Sequence, residues 1–204
     1  RTFEAIAAKG PAAFYKGSIA AAIVDRVRTA PTNPSTMTTA DLAAYAAKQR
    51  PPVCASYRVW RVCSMGPPSA GGIAVIAMLK QLEGFDLAAL GPNNPVSWHL
   101  LGESERLAFA DRDAYGADSD FVPVPVAGLI ADDYLKSRGA LIRADSTMTI
   151  VVPGKPKGAV ARTRAPGTEV PSTTDFAVAD AAGNIASLTS TVEGAFGSSL
   201  VSGG

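Results

Sequence analysis

Apolar residues recur at helical spacing through most of the first 140 positions. Phe3, Ile6 and Ala7 open one amphipathic pattern, which Gly10-Pro11 closes. Ser18 is placed to cap a second helix that runs through Ile19, Ile23 and Val27 and ends at Pro31. Thr39 is placed to cap a third, ADLAAYAAKQ, with Asp41 in its first turn, where a carboxylate suits the helix dipole. Pro51-Pro52 stops that helix. After GPPSAGG at 66–72, Ile73, Ile76, Leu79 and Leu82 share one face of a helix ended by Gly84. Ser97 is then placed to cap a longer helix, SWHLLGESERLAFADRDAYG, in which Trp98, Leu101, Ala108 and Tyr115 recur at helical spacing.

Two stretches read as β instead. CASYRVWRVC, between Cys54 and Cys63, is rich in β-formers, and a hairpin about Arg58–Val59 sets the two cysteines opposite each other, close enough for a bridge. Arg-Val is poor two-residue turn chemistry, and the competing reading is two buried free thiols. From Ala144 to Ser172 the periodicity is lost. VVPGKPKGAVARTRAPGTEVPS is rich in Pro, Gly and basic residues, and it reads as a flexible, exposed connection.

TTDFAVAD and NIASLTST follow, separated by Ala181-Ala182-Gly183. A three-residue hairpin loop wants a left-handed residue third, which is the place of Gly183. Asp180 then pairs with Asn184, Val178 with Ala186, Phe176 with Leu188, and Thr173 with Thr191. Asp175 and Thr189 share the Thr173 face, while Phe176, Val178 and Leu188 line the apolar one. By the same period Glu193 points with Thr191.

Composition narrows the class of protein. Of 204 residues, 47% are hydrophobic and 18% charged, enough for a packed core and too little polarity for disorder. A net charge of +1 gives no electrostatic reason to expect nucleic acid or an anionic membrane. The longest uncharged stretch, 62–79, is broken by prolines and glycines, which makes a spanning helix improbable. RTFEAIAAKG has no signal-peptide pattern and reads as a helix under way. Two cysteines with one nearby His are too few for a structural zinc site, so no metal is expected.

The hairpin carries the candidate chemistry. A threonine hydroxyl is a poor nucleophile until a base takes its proton. At the start of a chain the α-amino group, with an ordinary pKa of about 7.7–8.0, can be that base. Exposing it requires a cut between Ser172 and Thr173, at the end of the connection. Cross-strand partners have Cβ atoms about 4.5–5.5 Å apart, so Thr191 is within reach of the Thr173 hydroxyl. The bland reading is that Thr is simply common in strands. Elsewhere, His99 sits in a helix beside Trp98 and Leu100 and reads as structural. GPPSAGG has no Lys after its glycines and reads as a tight loop before a helix. Glu103, Glu105, Arg106, Asp111, Arg112 and Asp113 read as a solvated face with local pairs.

Residues 172–204, STTDFAVADAAGNIASLTSTVEGAFGSSLVSGG, resemble the processing junction of the gamma-glutamyltransferase family of N-terminal-nucleophile hydrolases. AAFYKGSIA, TTADLAAY, GPPSAGGIAV, HLLGESERLAFADRDAYG and DFVPVP resemble the family's large subunit, in order. The pattern begins and ends inside the family's, so the chain reads as a fragment. The resemblance implies an α+β fold, a four-layer αββα sandwich that is incomplete here. It also implies a division into the C-terminal part of a large subunit at 1–172, with 143–172 as the linker, and the start of a small catalytic subunit at 173–204.

The activity implied is a self-processing γ-glutamyl transferase or hydrolase. Thr173 is the nucleophile, Thr191 positions it, and Glu193 meets the substrate; Ser172–Thr173 is the processing bond. Partners implied are a γ-glutamyl donor such as glutathione, water or an amino-acid or peptide acceptor, and the other subunit of a heterodimer. No cofactor is implied, and the location implied is periplasmic or secreted. Two departures stand out. Asp175 takes the place of the family's His, and Glu193 that of its usual Asn. TVEGAFGS resembles relatives called cephalosporin-acylase-like, which keeps a glutaryl or cephalosporin acylase open as an alternative, beside a homologue that never processes.

Overall fold

The computed structural model describes residues 1–160, 173–192, 194 and 196–203. In chain order its elements are α1 (Thr2–Lys9), α2 (Ala12–Tyr15), α3 (Gly17–Arg28), α4 (Thr39–Ala44), β1 (Val53–Tyr57), β2 (Trp60–Ser64) and α5 (Gly71–Gln81). A 3-10 turn, Leu82–Gly84, leads to α6 (Leu87–Leu90), α7 (Pro95–Tyr115), α8 (Val126–Leu129), α9 (Asp132–Gly139), β3 (Thr173–Ala179) and β4 (Ile185–Thr191). The class is α+β, with β1–β2 and β3–β4 as two antiparallel pairs. Packing divides the chain into two compact units, Arg1–Lys48 with Gly167–Gly204, and Gln49–Pro166.

Three helix starts differ from expectation, and in two of them a side chain that satisfies the first free N–H groups sets the new start. α4 is capped by Thr38 rather than Thr39. The Thr38 hydroxyl accepts from the Asp41 N–H while the Asp41 carboxylate accepts from the Thr38 N–H, a reciprocal box that requires a three-residue spacing. This helix stops at Ala44, because Tyr45 turns extended. α7 is capped by Asn94, with Pro95 in its first turn, and Ser97 instead donates to the Gly91 carbonyl. α3 begins at Gly17, which leaves Ser18 inside the helix.

In the first unit α3 buries Ala20 and Val24. The Tyr15 and Tyr45 rings stack with centroids 5.2 Å apart. In the second unit α5 is the centre, packing on α7, α9 and β1. Ala74, Ile76, Ala77, Ala108 and Leu135 form one core cluster; Leu82, Leu100, Leu107 and Ile142 form another. Each fully buried leucine there stabilises the fold by about 1.5–3 kcal/mol through transfer from water.

The β1–β2 hairpin turns at Arg58–Val59, with Cys54 opposite Cys63 and their sulfurs bonded. Arg58 adopts φ 54°, which the turn demands and an arginine resists. Tertiary bonds hold it there: its N–H donates to Glu83 Oε1 at 2.9 Å and its guanidinium to the Phe85 carbonyl at 3.2 Å.

Two expectations fail in this unit. The buried stripe of α7 is Leu100, Glu103, Ser104, Leu107, Ala108 and Asp111, while Trp98 stays 65% exposed. Glu103 and Asp111 are therefore not part of a solvated face. Nor are residues 148–158 a free connection. Met148 and Val151 pack on the second core cluster, and Pro156 is buried. The buried carboxylates explain both failures, because each accepts a backbone N–H from this stretch. Burial alone pushes the Glu103 carboxyl up, but the Met148 N–H and the Arg106 guanidinium outweigh it and hold the group below the ordinary glutamate range. The rest of the expected linker, 161–172, lies outside the described residues.

Candidate active site

The β3–β4 hairpin is set by its turn. Asp180 accepts from the Ala182 N–H at 2.9 Å, the Asn184 N–H at 2.8 Å and the Asn184 side chain at 2.7 Å. The Asn184 side chain and these backbone donors hold the Asp180 carboxyl below its ordinary range. Gly183 takes φ 85°, the left-handed place in the three-residue loop. The Asp180 N–H then donates to the Asn184 carbonyl at 3.0 Å, and this first rung fixes every later one.

The register pairs Val178 with Ala186, Phe176 with Leu188, Asp175 with Thr189 and Thr173 with Thr191, as the turn chemistry requires. One face is polar. On it the Thr189 hydroxyl donates to the Asp175 carboxylate at 2.6 Å, next to the Thr173–Thr191 pair. The other face, with Phe176 and Leu188 each 51% exposed, is apolar and uncovered in this chain. The outcome is a hydroxyl-bearing residue at the first position of an edge, with a second hydroxyl directly across and a carboxylate two residues on.

Of the residues singled out from the sequence, Thr173 and Thr191 are brought together. Ser172 and Glu193 lie outside the described residues. Cys54 and Cys63 belong to the other compact unit. His99 contacts the Arg143 carbonyl through Nε2 at 2.9 Å, a structural tie. Among the described residues no group of three or more His, Cys, Asp and Glu is placed to hold a metal, and no helix is long and apolar enough to cross a membrane.

What the sequence reading missed is the pair of buried carboxylates on α7. Its signal was available: positions 103, 107 and 111 lie four apart, so Glu103 and Asp111 flank Leu107 on one helical stripe.

Against known proteins, the family model described as gamma-glutamyltranspeptidase matches residues 1–204. The glutathione hydrolase proenzyme of Escherichia coli (strain K12) is 36% identical over 203 residues, covering 100% of this chain and 33% of that protein. The acylase ACY 1 proenzyme of Pseudomonas sp. (strain SE83) is 37% identical over 196 residues, covering 96% of this chain and 33% of that protein. The crystal structure of Helicobacter pylori gamma-glutamyltranspeptidase superposes with a TM-score of 0.68 at 36% identity, over 79% of this chain and 46% of that one. Cephalosporin acylase from Bacillus halodurans does so with a TM-score of 0.60 at 26% identity, over 70% of this chain and 25% of that one. The chain thus spans about a third of the length of these curated relatives.

Proposed function

The chain belongs to the gamma-glutamyltranspeptidase family, and from that premise we propose that it is the part of a self-processing amide hydrolase or transferase that holds the nucleophile, Thr173. The observation that carries the proposal is the pairing of Thr173 with Thr191 at the open end of a hairpin. With the rest of such a protein, the two hairpins and helices would belong to a four-layer αββα sandwich. Residues 1–172 would end the large subunit and 173–204 begin the small one.

The chemistry runs in two stages. First, the Thr173 Oγ attacks the Ser172 carbonyl carbon, the peptide C–N bond breaks, and an ester replaces the amide. Water hydrolyses that ester, leaving a carboxylate on Ser172 and a free α-amine on Thr173. Second, that amine takes the hydroxyl proton as Oγ attacks a γ-glutamyl amide, then returns the proton to the departing amine. The γ-glutamyl ester passes to water or to an amino-acid or peptide acceptor. Thr191 orients the nucleophilic hydroxyl, and Glu193 holds the donor's α-ammonium group. No step calls for a cofactor. A Cys54–Cys63 disulfide fits an oxidising compartment, periplasmic or secreted.

Expressed at full length, the protein should give two bands on a denaturing gel, with Thr173 at the start of the smaller one. A Thr173→Ala version should stay whole. A wild-type chain that persists uncut at neutral pH would sink the proposal and favour a non-processing homologue. A second reading, glutaryl or cephalosporin acylase, draws support from the equal likeness to the Pseudomonas acylase proenzyme. Rates on γ-glutamyl and glutaryl anilides, compared as kcat/KM, separate the two.

A further inference from the structure

Residues 148–158 contain no helix or strand, yet they are bonded repeatedly to the helical unit. Glu103 Oε2 accepts the Met148 N–H at 2.7 Å, and Arg138 Nη2 donates to the Val152 carbonyl at 2.9 Å. Asp111 Oδ1 accepts the Gly154 N–H at 2.7 Å, while the Tyr115 hydroxyl donates to the Gly154 carbonyl at 2.6 Å. Gly154 lies against the Tyr134 ring. The Lys157 backbone lies so close to Gly128 that a side chain there would run into it.

The two carboxylates making these bonds are each only 3% exposed. They are also held from behind. Arg106 donates to Glu103 at 2.6 Å, and the Tyr134 hydroxyl donates to Asp111 at 2.7 Å, with Arg138 3.3 Å from the same carboxylate. Burial, then the bond to Asp111, push the Tyr134 phenol up, so it remains a donor. Hydrogen bonds to a buried carboxylate are the strong kind, and lifting the segment away would leave that charge buried without its donor.

We propose that 148–158 is a fixed strap, clamped by Glu103 and Asp111, that stays docked when the chain is cut at Ser172–Thr173. The idea rests on the self-processing reading above. Its consequence is a limit on what the cut sets free. No more than 159–172 is released, 14 residues, instead of the 29 of 144–172. At no more than about 3.3–3.6 Å per residue, the distance the new end can lie from its anchor is bounded at roughly 50 Å rather than roughly 100 Å. The clamp lets a large subunit lose its covalent link to the nucleophile without losing the order of its own last segment.

Limited trypsin digestion of the full-length processed protein, read by intact mass, tests this. The basic residues of the region are Arg143, Lys155, Lys157, Arg162 and Arg164, and the bond after Lys155 is blocked by Pro156. The Arg143 side chain is 70% exposed, while its carbonyl meets His99 and its guanidinium meets Asp145. Large-subunit masses ending at Arg162 and Arg164 should accumulate, with no product ending at Arg143. In a Glu103→Gln, Asp111→Asn variant the Arg143 end should appear about tenfold faster or more, because cleavage follows the open population. Rapid wild-type cutting at Arg143, or unchanged protection in the variant, overturns the strap. If the double variant does not fold, Tyr115→Phe, which removes only the hydroxyl on Gly154, should speed the Arg143 cut several-fold; no change there also overturns it. The outcome is separable from that of self-processing. In a Thr173→Ala chain, or one that never cuts itself, the same sites are read as internal nicks at 162 and 164 without one at 143.

Discussion

Replacing Thr191 by Val removes one hydroxyl while keeping a β-branched side chain of nearly the same shape, so the strand loses little of its preference for the sheet. Position 191 sits directly across from Thr173 at the open end of the hairpin, on the polar face. In the ground state a neutral hydrogen bond between exposed partners contributes about 0.5–1.5 kcal/mol at most. In the proposed reaction Thr173 Oγ gives up its proton and attacks, the oxygen gains charge, and a bond to a charged partner is worth about 1.5–3 kcal/mol. Only the difference between the two, about 1–1.5 kcal/mol, is lost from the barrier, which corresponds to a rate loss of roughly 5- to 13-fold. The same hydroxyl acts in both proposed stages, so self-cleavage and turnover should slow together. KM should move little, because the loss is in the transition state. A time course of precursor on a denaturing gel gives the first rate, and a chromogenic γ-glutamyl anilide gives the second. Thr191→Ser restores a hydroxyl at the same register and should recover most of both. A Val variant that processes and turns over at the wild-type rate would refute the role of Thr191. So would a Ser variant as impaired as Val, since that would assign the loss to packing.

Other perturbations test the frame around the site. Replacing both Cys54 and Cys63 by Ser opens a closed loop of ten residues and should cost about 2.5–3 kcal/mol of unfolding free energy, measured by denaturant titration. The Glu103 carboxyl is depressed in the folded state, so its contribution to stability is complete above its unfolded value of about 4.3 and drains away as pH falls through the lower folded value. Denaturant titrations at pH 7, 5 and 3 should show the Glu103→Gln variant losing less stability on the acid side than wild type; parallel curves would contradict that. Gly128→Ala drives a methyl into the Lys157 backbone and should destabilise the unit by about 1–3 kcal/mol, visible as a lower Tm.

What the sequence made legible depended on whether local chemistry decided the outcome. The β3–β4 register is local: Asp180, Gly183 and Asn184 build the turn, and every pair up to Thr173–Thr191 follows from it by counting. The register that sets Cys54 opposite Cys63 followed in the same way, but the sequence left a bridge and two free thiols both open, because the turn residue Arg58 is strained and depends on Glu83 and Phe85 to hold it. Helix caps were displaced by a residue or more, because Thr38 and Asn94 win through reciprocal or better-aimed bonds that composition does not distinguish from those of their neighbours.

The failures on α7 and at 148–158 share one cause, and it bears on how such a site is assembled. A charged residue is read as solvated because burying it unpaired costs several kcal/mol, and a segment rich in Pro and Gly is read as free because it has no regular structure to satisfy its backbone. Each reading holds only while the other partner is missing. Glu103 and Asp111 tolerate burial because the segment supplies N–H donors, and the segment is ordered because the carboxylates accept them. Neither half is visible alone, since the partners lie 45 and 43 positions apart. The β3–β4 hairpin is the opposite case: its turn sets its own geometry within a dozen residues, and it leaves an apolar face at Phe176, Val178 and Leu188 exposed. The placing of one hydroxyl-bearing residue opposite another is thus set by local register. The order of residues 148–158 rests on long-range pairing, which only the folded chain reveals.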